Sequence, residues 1–378
     1  MRRWVLLLAF AAAALPAPAA ERVTVAELQQ FLAAQYATHK SDGSIADHLG
    51  EMELTEQLTE PTLDRIAADM KPGTKTAQAL QLLADQSAFL EPPASEIPAK
   101  AAPEMAEQVR LIEGAVNFAS VTLEKLPNFL ATRTTRTFGN TILSMTPDAS
   151  RVRFMASGPL HASGEYSRQI TYRAGAEVIV DTAANQGKPE KSNDVPQGLT
   201  SNGEFGPLLQ IVLTDSAKGK VVWSHWERMR DGTAAVFRYV VPEQASHFTV
   251  HFCCVRSVAP SPAADQKSRD ASSRQFHGEP GYHGFLYLDS ETGATLRMTI
   301  EADFDAPGPT AQLGEWVQYG KVKIGEQDYL CPVSTTAFIH LPPWRSDEAG
   351  FMNLNEVAFT NYHRFGSTAH ILSTAPEP

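Results

Sequence analysis

The sequence predicts an α+β protein: a curved antiparallel sheet or incomplete β-barrel with covering helices, preceded by an α-helical N-terminal region. Three observations lead there. From residue 129 onward apolar residues recur with a period of two, as where Ala294, Leu296, Met298 and Ile300 alternate with Thr295, Arg297, Thr299 and Glu301. Turn chemistry separates such runs; Asp289-Ser290-Glu291-Thr292-Gly293 places glycine where a hairpin wants a positive φ. Before residue 128 the periodicity is helical instead.

The elements follow in order. Arg2 and Arg3 precede an apolar run, Trp4–Leu15, that is too short to span a bilayer. Ala17-Pro18-Ala19-Ala20 supplies the small residues of a cleavage site, so residues 1–20 read as a signal peptide cut near Ala19/Ala20. The mature chain would then work in the periplasm or be secreted, without being embedded in a membrane. Residues 21–127 form the helical region. Thr24 with Glu27 is a capping-box pattern ahead of Leu28, Phe31 and Leu32. Further helices are expected at 45–52, 62–70 and 76–90, and a longer one from Pro103 to about Lys125, stopped by Leu126-Pro127. Residues 128–378 form the β domain. Its strands are expected at 129–138, 151–156, 165–173, 177–183, 221–230, 234–241, 247–256, 283–288, 294–301, 316–324, 327–341 and 355–365, with a helix inserted at 201–213. The buried parity switches within 316–324, which predicts a bulge near Gly320, and Pro332 marks its own strand as an edge or a bulge. Segments 185–198 and 259–280 read as mobile, the second as a disordered loop.

Composition narrows the function. A net charge of −11, from 32 basic and 43 acidic residues without a basic cluster, argues against nucleic acid. Of the three cysteines, Cys253 and Cys254 are neighbours whose mutual bridge would be strained, so a pairing of one of them with Cys331 is expected. The eleven histidines form no metal motif: His247 and His251 stand four apart, but on a strand that separates them by about 13 Å. Neither GxSxG, HExxH, a P-loop nor a dinucleotide fingerprint occurs, and no cofactor or catalytic residue is assigned. Aromatic residues on expected strands either fill a core or line a cavity under the helices. The cavity candidates are Phe154, Tyr172, Trp223, Phe237, Tyr239, Phe285, Tyr287, Trp316 and Phe338.

The segment Tyr282 to Arg297, with Asp289, Thr292, Gly293, Leu296 and Arg297 in place, resembles the D-x-x-T-G-x-x-L-R hairpin of the periplasmic lipoprotein-carrier superfamily of LolA-like and RseB-like proteins. Trp316 to Pro332, ending Tyr329-Leu330-Cys331-Pro332, is similar to that superfamily's V-x-I-x-x-x-x-Y-L-x-P strand pair. As a whole the chain looks like exported bacterial proteins that share Leu126-Pro127-Asn128-Phe129 and the segment Gly198–Gly206. The superfamily resemblance covers residues 129–372 and implies a helix-closed sheet over an apolar cavity for acyl chains; the helical N-terminal region is outside its usual pattern. The expected function is therefore non-enzymatic binding of lipid, lipoprotein or another apolar small molecule. The alternative is an envelope protein–protein or sensor module, and the third reading is a hydrolase with an unfamiliar site.

Overall fold

The computed structural model describes residues 21–145, 152–173, 175–180, 199, 201–230, 232–256, 273–304, 312–341 and 351–365. The expected signal peptide, the segment 185–198 and residues 259–272 lie outside them. Among the described residues no helix is long and apolar enough to cross a membrane.

The chain opens with β1 (Glu21–Val23), α1 (Val25–Ala37), α2 (Asp42–Leu49), β2 (Met52–Leu54), α3 (Glu60–Met70) and α4 (Thr74–Ser87). The Thr24–Glu27 capping box starts α1 as expected. Met52, expected to end a helix, instead lies in β2, which pairs in parallel with β1. These short elements bury Val25, Leu28, Leu32, Ile45, Leu49, Leu80 and their neighbours against one another, forming an apolar centre of their own. Single helices of this length are marginal in water, so this shared centre is what holds them.

Then come α5 (Met105–Asn117), a π-helical turn at Phe118–Thr122, β3 (Phe129–Met145), β4 (Val152–Arg173), β5 (Ala176–Val180), α6 (Pro207–Ser216), β6 (Lys220–Met229) and β7 (Gly232–Val241). β8 (Val250–Arg256), β9 (Ser273–Gly278), β10 (Gly281–Asp289), β11 (Thr295–Asp303), β12 (Gln312–Ile324), β13 (Gln327–Leu341) and β14 (Phe351–Arg364) complete it. Ten strands form one antiparallel sheet in the order β5-β4-β3-β14-β13-β12-β11-β10-β7-β6, open rather than closed into a barrel. The last strand thus lies beside the first long one, in mid-sheet. β8 and β9 leave the sheet as a separate two-stranded ribbon. Residues 273–278 are therefore strand, which corrects the reading of 259–280 as wholly disordered; pairing with β8 supplies the backbone bonds that their polar side chains do not advertise. The inserted helix starts at Pro207, six residues later than expected, because Gly203 and Gly206 take φ of +82° and +146°. The register shift expected near Gly320 falls between Gln318 and Tyr319, opposite Pro332.

The sheet is covered on both faces. On one, α5, the π-helical turn and α6 bury Leu111, Phe118, Leu209 and Val212 against Phe129, Tyr172, Phe237, Met298, Val317 and Tyr319. Each such ring or branched side chain removed from water contributes about 1.5–3 kcal/mol before entropy is counted. On the other face lie α3 and α4. The alternation in β11 reads as a strand with one buried face, and the structure corrects this: Arg297 and Thr299 are buried as well as Met298 and Ile300. Period-two alternation marks which face is apolar, and a covering domain can bury the polar face too. Cys331 is a free, buried thiol in the first of these cores rather than a partner of Cys253 or Cys254, whose side chains are not described. Its apolar surroundings push the thiol up to about 12.

The β10–β11 turn fixes α5 to the sheet. Gly293 has a φ of +74°, and a Cβ there would stand 2.5 Å from Leu111 O and 2.9 Å from Gly114 Cα. Arg110 donates from Nη1 to Glu291 O at 2.6 Å across the same contact. Gly293→Val combines left-handed strain with a backbone clash and is expected to lower stability by about 2 kcal/mol or more, read from the urea midpoint.

Candidate functional site

A cleft of about 340 Å³ lies between the N-terminal helices and the sheet. Gln57, Glu60, Gln81 and Asp85 line it from the helical side, and Arg136, Arg297, Trp316, Thr336 and Glu356 from β3, β11, β12, β13 and β14. Docking at its margins keeps the two walls apart and in place. Phe89 stacks 6.2 Å from Phe338 and lies against Gly314, where a Cβ would come within 2.7 Å of its ring. Arg230 pairs with Asp64 at 2.9 Å in solvent, a contact of little energetic weight.

Arg297 ties the walls together. Its guanidinium is buried, donates from Nη2 to Glu60 Oε1 at 2.6 Å and from Nε to Gln318 Oε1 at 2.7 Å. It also lies 5.4 Å from the Tyr287 ring and 5.5 Å from the Trp316 ring. A charge withdrawn from water in this way stays favourable only while its partners remain in place. Deeper in the cleft, Asp85 is fully enclosed. Burial pushes its pKa well above the usual carboxylate range, and the facing charge and hydrogen bond of Glu356 add to that. Gln81 Nε2 donates to Asp85 Oδ1 at 2.9 Å. Burial raises Glu356 as well, opposed by the hydrogen bond from Asp85 and the charge of Arg136. Burial thus raises both carboxyls, Asp85 the more strongly.

Three buried polar atoms of this cleft have no hydrogen-bond partner among the described residues: Gln57 Oε1, Trp316 Nε1 and Glu356 Oε1. Buried groups of this kind are nearly always satisfied in native proteins, by water or by something bound. The cations of the cleft are already committed, Arg297 to Glu60, Arg136 to Glu165 and Arg230 to Asp64.

The opposite face carries a second buried polar cluster. Arg133 Nη2 donates to Ser201 O at 2.8 Å and lies 3.3 Å from Glu204 Oε1, which also accepts from Ser201 Oγ at 2.7 Å. Tyr319 and Asn355 donate to the carbonyls of Glu204 and Leu199. The described residues of the 198–206 segment are therefore pinned to the sheet, and the motif serves to seat α6. Burial and the charge of Glu204 raise Glu177 to about 7 and Glu315 well above its ordinary value.

The aromatic candidates are distributed between the two faces. Tyr172, Phe237 and Tyr239 are buried in the core under α5 and α6, with Trp223 packed against it. Phe285 and Tyr287 form a small cluster with Met229 and Val236 on the other side. Trp316 lines the cleft, Phe338 flanks it beside Phe89, and the side chain of Phe154 is outside the described residues. Sequence reasoning missed Gln57, Asp85, Arg297 and Glu356. No spacing links them, although Arg297 closes the D-x-x-T-G-x-x-L-R pattern.

No family model matches the chain, and no curated protein does. A solved structure with some similarity is the complex structure of Pseudomonas aeruginosa MucA/MucB, at 10% identity over 67% of this chain and 93% of that one, with a TM-score of 0.20. A likeness at that level carries no statement about this chain.

Two outcomes follow from the cleft. Arg297→Met leaves Glu60 and Gln318 without their donor and is expected to cost about 3 kcal/mol in urea unfolding, with faster proteolysis of α1–α4 than of the sheet. Asp85 and Glu356 hold protons more tightly folded than unfolded, so their contribution is full below the ordinary carboxylate range and fades as pH rises through their raised folded values. Glu356→Gln removes the like charge, and stability measured across that range should then fall less steeply with pH than in the wild type.

Proposed function

We propose that this chain is an exported, non-catalytic binding protein that holds a small, neutral, hydroxyl-bearing molecule, a saccharide, between its helical unit and its sheet. The observation that carries this is that three residues lining one cleft, Gln57, Trp316 and Glu356, each keep an enclosed polar atom without a partner among the described residues. Its volume suits a small ligand. Its committed charges favour a neutral one, because an added ion would have to displace an existing partner. A lining that mixes charged and amide side chains with apolar surface suits a small hydroxyl-bearing ring better than the acyl chain expected from the carrier resemblance. An indole N–H, an amide oxygen and a carboxyl oxygen are the mixed donor and acceptors that would suit the hydroxyls of a sugar ring.

The test is native mass spectrometry of the chain, expressed with its own export signal and purified without detergent, beside aqueous and organic extracts. A discrete adduct recovered in the aqueous extract, and lost from Trp316→Phe (which keeps the ring and deletes the N–H donor), is the expected result. A lipid in the organic extract, or an adduct unaffected by Trp316→Phe and Gln57→Leu, would overturn the reading.

Two neighbouring carboxyls on the cleft, both raised by burial and Asp85 the more strongly, favour a second reading, in which the bound molecule is hydrolysed with Asp85 as acid and Glu356 as base. Product formation from the recovered ligand, abolished by Glu356→Gln, distinguishes turnover from storage.

A further inference from the structure

We propose that His251 and His277 form a two-histidine site for a divalent transition metal of the zinc and copper class on the β8–β9 ribbon. The two residues are direct register partners across antiparallel strands. Their ring centres are 5.5 Å apart, with an angle of 71° between the planes. Both side chains are exposed, whereas Val250, one residue earlier, is buried in the core beneath α6. Strand alternation therefore turns His251 away from that core, and the pairing places His277 on the same outer face.

The separation matches what chelation demands. With a Zn–N bond of about 2.1 Å and a ring nitrogen about 1.1 Å from its centroid, each centroid stands about 3.2 Å from the ion. A tetrahedral angle then separates the two centroids by about 5.2 Å. The observed spacing is within a few tenths of an ångström of that value. Imidazole suits zinc and copper over magnesium or calcium. Two protein ligands leave the other positions to water, so the site is open and exchangeable rather than a closed structural one.

His247 is not part of it. Its Nδ1 lies 2.5 Å from Oδ1 of buried Asp215, which also accepts from Tyr282 Oη at 2.9 Å, and this holds the chain entering β8. An ion bridging His251 and His277 would tie β8 to β9, which otherwise have no further strand beside them. The site is independent of the cleft, which lies on the opposite face of the sheet.

The experiment is titration of the untagged full chain with Zn²⁺ by isothermal calorimetry, with the thermal midpoint recorded with and without one equivalent of the ion. The expected result is one equivalent bound and a raised midpoint. His251→Ala and His277→Ala should each weaken binding by at least about tenfold, the lower bound of what the loss of a mere supporting group costs, and abolish the midpoint shift. His247→Ala should leave the affinity unchanged. Both target side chains are exposed, so the variants should fold, and far-UV circular dichroism checks that they do. Equal affinity in all four proteins would place the ion elsewhere and overturn the proposal, as would absence of Zn²⁺ uptake by the wild type.

Discussion

One buried cation organises the interface on which the functional reading rests. Arg297 is held between two aromatic rings and hydrogen-bonded both to its own sheet and to the first turn of α3. Desolvating a guanidinium is expensive, so the arrangement persists only because Glu60 supplies the opposite charge and Gln318 a second acceptor. It links α3 of the helical unit, whose apolar centre lies within α1–α4, to the sheet. The helical unit docks through polar contacts such as this one and through Phe89 against Phe338 and Gly314, and a cleft remains between the two walls.

The sheet explains the division of labour. An antiparallel sheet alternates its side chains between faces, so Met298 and Ile300 serve one layer while Arg297 and Thr299 serve the other. One layer is a close-packed core of aromatic and branched residues, crossed by the Arg133–Glu204 contact that seats the loop before α6. The other layer gathers Gln57, Asp85, Trp316 and Glu356. Carboxyls in both layers are driven upward by burial, which marks them as proton-holding sites rather than surface charges.

Much of the fold was legible in the sequence. The capping box at Thr24, the turn ending at Gly293, the bulge opposite Pro332 and the succession of antiparallel strands each follow from local rules. What local rules could not give is long-range. β9 has a polar sequence and becomes a strand through β8, and the same pairing sets His277 opposite His251. The cleft joins residues from α3, α4 and five strands, so no spacing along the chain announces it. The aromatic candidates were chosen by strand position alone, and pleating sends them to opposite faces; only Trp316 lines the cleft. Burial of Arg297 was the least legible feature, because a strand arginine alternating with apolar residues normally faces water.

The central claim is that the cleft between helices and sheet is a polar ligand site. The most direct measurement is a high-resolution crystal structure of the protein purified from exporting cells with nothing added. Ordered density within the cleft, of a shape that fits a hydroxyl-bearing molecule and bonded to Gln57, Trp316 and Glu356, is the expected result. A cleft closed onto itself, with the enclosed polar atoms of those residues bonded to protein groups, would contradict it.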